Sequence, residues 1–81
     1  MADQHVMDMR KLVGRNVARL RKEKGLTQEA LAELSGFGQN YISALERGHR
    51  NPTIITLYEI AKPLGSTPAT LILPDAADED Q

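Results

Sequence analysis

A chain of 81 residues with no cysteine has room for one small domain and no disulfide or thiolate metal site, and burying only about 60% of its extended surface leaves stability to helix packing, supplemented if at all by association. The formal charge of -1 hides a division: residues 1–73 hold all 10 Lys and Arg against seven acidic groups, whereas 74–81 hold Asp75, Asp78, Glu79 and Asp80, so a mildly basic body precedes an acidic tail. No apolar run exceeds Leu71-Ile72-Leu73 and no hydrophobic segment follows a charged N-terminus, which predicts neither a membrane partner nor a signal peptide, and the lack of cysteine fits a cytoplasmic protein.

Residues 1–7 carry no pattern and read as a mobile N-terminal arm. Asp8 is placed to cap a helix running to about Lys24, with Met9, Val13, Val17 and Leu20 as its buried stripe and Lys11, Arg15, Arg19 and Lys22 as a solvated charged face. Thr27 caps a second helix, Gln28 to Ser35, that Gly36 stops by taking the left-handed conformation. Glu29 and Glu33 on it read as ordinary surface. A third helix begins at about Gln39 and ends at Gly48; Ile42 and Leu45 are expected against Leu31 and Leu34, with Ala32 allowing close approach and Phe37 plugging the turn.

After a polar loop, His49 to Pro52, Thr53 caps a fourth helix with Ile54, Leu57, Ala61 and Leu64 inward and Ile60 widening the stripe. Pro63 removes an amide and crowds the carbonyl of Glu59, so this helix should kink or stop near Lys62. Thr67-Pro68 opens a short fifth helix to about Leu73. Leu71, Ile72 and Leu73 cannot all face one small core from a single turn, so at least one points outward. Pro74 ends the domain, taken as 8–73, and the acidic tail 74–81 is expected to be disordered. The fold class is all-α.

The outer side of the third helix holds Gln39, Asn40, Ser43 and Ala44, at i, i+1, i+4 and i+5. Two amides, a hydroxyl and a methyl, with nothing bulky or acidic among them, suit the floor of a DNA major groove. Carboxamides pair with both hydrogen-bonding atoms on the adenine edge, serine serves any base, and an alanine methyl meets the thymine methyl. In the following loop, His49, Arg50 and Asn51 can reach flanking phosphates; the competing reading is ordinary polar loop chemistry, and His49 has no neighbouring ligand that would make it a metal site.

LTQEALAELSG (Leu26 to Gly36), YISALERG (Tyr41 to Gly48) and NPTIITLYEIAKPLG (Asn51 to Gly65) together make the sequence resemble the XRE family, the helix-turn-helix repressors of the Cro and lambda-repressor type. The likeness spans roughly residues 12–73, with Gln28, Ala32, Gly36, Ile42 and Leu45 at the family's spacing; Pro63 departs from it. It implies a compact five-helix bundle with the helix-turn-helix at helices 2 and 3, binding double-stranded DNA as a homodimer. It also implies an ion pair between Arg21 and Glu46 that aligns the recognition helix, the alternative being two independent surface charges. Within that frame Gln39, Asn40, Ser43 and Ala44 are the expected base contacts. Gln28, Tyr41, His49, Arg50 and Asn51 are the expected phosphate contacts, Gln28 also bracing Gln39. Leu64, Pro68, Leu71 and Ile72 form the expected dimer seam.

The expected function is a sequence-specific transcriptional regulator, a repressor or autoregulator reading an inverted repeat. Two alternatives stay open: an antitoxin or accessory regulator whose main partner is another protein, and a restriction-modification controller. No enzyme, cofactor or metal is expected. His5 and His49 fall in an arm and a loop, and no serine has a base and an orienting acid at recognisable spacing.

Overall fold

Short polar caps set the helix boundaries. The computed structural model describes residues 8–74; the expected arm at 1–7 and the acidic residues 75–81 lie outside the described residues. Within them run α1 (Met9–Glu23), α2 (Gln28–Ser35), α3 (Gln39–Glu46), α4 (Ile54–Ala61) and α5 (Pro68–Ile72), with no strand among the described residues. Asp8 accepts from the amides of Arg10 and Lys11, Thr27 from Ala30, Thr53 from Thr56 and Thr67 from Thr70, so four of the five helices begin on a side-chain oxygen that takes up amides the helix cannot satisfy. Gly38 caps α3 without a side chain.

At the end of α2, Gly36 adopts φ +85°, and both its amide and that of Phe37 donate to Ala32 O at 2.9 and 3.1 Å, which turns the chain sharply into α3. Pro63 stops α4 rather than kinking it. The helix ends at Ala61, and the amides of Leu64 and Ser66 both return to Ala61 O at 3.0 Å.

The core gathers Val13 and Val17 of α1, Leu31 and Ala32 of α2, Ile42 and Leu45 of α3, Leu57, Ile60 and Ala61 of α4, with Leu64 and Leu71. Three expected core residues lie outside it: Met9 is 45% exposed, Leu34 60% and Ile54 73%. Met9 and Ile54 are each the first residue of their helix. Helical side chains lean toward the N-terminus, so theirs reach past the end of the bundle. In α2 the covered stripe runs Gln28, Leu31, Ala32 and Ser35, which leaves Leu34 on its flank. Leu20 is only half-buried, and Leu12 takes a fully buried place instead.

Fully buried Asn16 joins the first helix to the last. Its Nδ2 donates to Leu71 O at 2.8 Å and Leu73 O at 2.9 Å, while its Oδ1 accepts from Arg19 Nη1 at 2.8 Å. These bonds satisfy carbonyls that α5 leaves free at its C-terminus and tie that helix to α1.

Candidate nucleic-acid interface

Ile42 and Leu45 bury one side of α3 completely, which forces the residues between them outward. Gln39 and Asn40 are exposed, and Ser43 and Ala44 are partly exposed. Packing inside the chain thus leaves the four expected base-facing residues open on one side of the helix. Arg47, one turn beyond Ser43, joins them: its Nη1 donates to Ser43 Oγ at 2.6 Å, so the guanidinium lies along the same face. Sequence reasoning passed over Arg47 as the end of the helix, although its i+4 spacing from Ser43 and i+8 spacing from Gln39 were there to be read.

From behind, α3 is held by Glu46. Its carboxylate accepts from Arg21 Nε at 2.7 Å and Nη2 at 3.0 Å in a forked pair, and from Gln28 Nε2 at 2.9 Å. Arg21 Nη1 donates in addition to Leu26 O at 2.8 Å. With the two side chains only 11% and 7% exposed, this is an enclosed ion pair linking α1, α2 and α3, not two separate surface charges. Gln28, expected to brace Gln39, turns its amide nitrogen toward Glu46.

Tyr41 stands at the flank of α3. Its ring stacks on Phe37, with centroids 5.2 Å apart and planes inclined by 24°, and the Arg50 guanidinium lies 5.7 Å from its centroid. That column carries the loop cation to the edge of the open side of α3. His49, whose amide donates to Ala44 O, Arg50 and Asn51 are all exposed beside it. Of the expected seam, Leu64 (3% exposed) and Leu71 (0%) belong to the core and have no surface to offer. Pro68 is half-buried and Ile72 is 42% exposed. Among the described residues no three His, Cys, Asp or Glu are grouped so as to hold a metal, and no helix is long and apolar enough to cross a membrane.

A family model described as helix-turn-helix, HTH_3, matches residues 17–71, which takes in the turn at Gly36 and both helices beside it. The chain belongs to this helix-turn-helix family. The expected XRE-type likeness therefore holds, and the chain is a helix-turn-helix transcriptional regulator. It is 65% identical over 68 residues to the uncharacterised HTH-type transcriptional regulator y4dJ of Sinorhizobium fredii, covering 84% of this chain and 88% of that one. It is 36% identical over 80 residues to the control protein C.SmaI of Serratia marcescens, covering 99% and 95% of the two chains. The crystal structure of SinR, a master regulator for biofilm formation, in complex with DNA superposes with a TM-score of 0.72 at 34% identity, covering 75% of this regulator and 98% of that chain.

Proposed function

We propose that this regulator binds double-stranded DNA sequence-specifically as a homodimer, laying α3 in the major groove of each half of an inverted repeat, and that it acts as a repressor or autoregulator in the cytoplasm. One observation carries the reading: the side of α3 that holds Gln39, Asn40, Ser43 and Ala44 is left open, while its opposite side is locked through Ile42, Leu45 and Glu46. A helix that is rigid behind and polar in front suits a groove of hydrogen-bonding base edges.

In this reading Gln39, Asn40 and Ser43 address base edges and Ala44 meets a thymine methyl. Arg47 extends the same stripe toward the backbone. Arg50, steadied by Tyr41, contacts phosphate together with His49, Asn51 and the N-terminal end of α2 at Gln28. The similarity of SinR, which was solved on DNA, supports this arrangement.

With Leu64 and Leu71 committed to the core, the seam between two copies moves to exposed apolar side chains: Ile72 and Leu73 at the end of α5, and Ile54, Ile55 and Tyr58 on α4. The similarity to C.SmaI over nearly the whole of both chains favours an autoregulator of the controller type among the regulatory roles. No catalytic step belongs to this reading. Selection of bound duplexes from a random pool, followed by footprinting of the enriched sequence, tests it. An inverted repeat with centres about 34 Å apart is expected; the absence of any enriched motif at moderate salt would exclude sequence-specific reading.

A further inference from the structure

Glycine is a poor residue for the interior of a helix, yet Gly14 sits within α1 and is buried. The neighbourhood explains why. A Cβ built on Gly14 would lie 2.5 Å from Leu45 O, 2.7 Å from Glu46 O and 2.9 Å from Glu46 C. All three atoms are backbone of the last turn of α3, so no side chain can swing aside to make room. A second close approach lies a turn away. A Cβ on Gly48 would meet Lys11 Cγ at 2.7 Å and Lys11 Cα at 3.1 Å. Backbone therefore meets backbone where α1 crosses the C-terminal end of α3.

We infer that Gly14, with Gly48 in support, is a specificity-determining positioning residue: the bare crossing sets the seat of α3, and hence how the face at Gln39, Asn40 and Ser43 meets the bases. The lever is simple. Helix rise places Asn40 about 9 Å along the axis from Glu46, so movement at the crossing is passed to the reading end through a rigid rod. Adding a methyl at Gly14 requires nearly an ångström of displacement before the 2.5 Å approach to Leu45 O opens to an ordinary contact of 3.4 Å. Arg21 and Gln28 grip the adjacent Glu46 side chain, so α3 cannot slide freely to absorb the shift and must tilt. Side-chain hydrogen bonds to base edges are lost with small misplacements, whereas attraction to phosphates depends little on register.

This inference rests on the proposed reading of DNA by α3, and its test separates the two. Gly14→Ala, Gly48→Asn and, as a control, Ile60→Val, which loosens the core in α4 away from the crossing, are titrated against the operator selected by wild type and against random duplex. Asparagine tolerates the φ of +79° at Gly48, and its Cβ would meet one atom closer than 3.0 Å, Lys11 Cγ at 2.7 Å, against three such backbone atoms at Gly14, so that milder variant reports even where Gly14→Ala does not fold. Both glycine variants are expected to lose about tenfold or more in operator affinity, with random-duplex affinity held within about twofold. Ile60→Val should keep the wild-type ratio whatever its melting temperature. Discrimination unchanged in the glycine variants, or lost equally in Ile60→Val, overturns the role of Gly14 while leaving the reading by α3 intact. A wild-type protein that prefers no duplex overturns the reading itself.

Discussion

Gln39 and Glu46 stand at opposite ends of the same helix and serve opposite needs, one open to whatever approaches, the other enclosed by the Arg21 guanidinium and the Gln28 amide. Replacing Gln39 by Ala removes one carboxamide from the reading face and nothing from the core. Its expected effect is a loss of about 1 to 3 kcal/mol in operator binding with random-duplex binding nearly unchanged, measured by paired titrations. Equal losses on both would remove Gln39 from the readout. Glu46→Ala acts on the fold instead. It strands the Arg21 guanidinium, whose side chain is 11% exposed, and is expected to cost about 3 to 5 kcal/mol in urea unfolding. A cost below about 1 kcal/mol would reduce the pair to the rank of a surface salt bridge. Arg50→Ala should weaken operator and random complexes alike and make the salt dependence shallower by about one unit of slope. An unchanged slope would take the loop off the phosphates.

At the scale of the helices, what could be read in the sequence was what local chemistry decides. Thr27, Thr53 and Thr67-Pro68 announce helix starts because a hydroxyl finds the first-turn amides without help from the rest of the chain, and Gly36 announces a stop for the same reason. The stripe of α4 was legible at Leu57 and Ala61 and continues at Leu64 past its end, but Ile54, in register with them, is 73% exposed at the first position of the helix, where its side chain leans back beyond the helix start. Arg47 follows the last residue of α3, so helical periodicity alone does not assign it to the side of Ser43, which its guanidinium reaches. Asn16 was beyond reach. Its two carbonyl partners lie more than fifty residues away in sequence, and only the crossing of α1 and α5 brings them together. Asn16→Leu keeps the number of side-chain heavy atoms and the branch at Cγ, with bulkier methyls, but leaves the carbonyls of Leu71 and Leu73 without the amide donor. Destabilisation of about 1 to 3 kcal/mol is expected in thermal or urea unfolding, and a neutral result would mean that water replaces the amide.

For the whole molecule, the division between core and seam decides what two copies can share. Three successive apolar residues in α5 promised a surplus, and the surplus exists, but as Ile72 and Leu73 with Leu71 turned inward. On α4, Ile55 is 67% exposed and takes no part in the core, so a charge there tests association without disturbing folding. A double variant, Ile55→Glu with Ile72→Glu, is expected to sediment as a monomer with unchanged helical content and to protect single half-sites. A persistent dimer would place the seam elsewhere. Residues 8–74 carry ten Lys and Arg against six Asp and Glu, a balance that favours DNA but cannot choose a sequence, and the proposed function assigns that choice to the face of α3. The most direct measurement replaces Gln39, Asn40 and Ser43 together by Ala and titrates that protein against the selected operator and against random duplex. Affinity for the operator should fall to that for random DNA while the unfolding curve stays in place; retained preference for the operator would contradict the account.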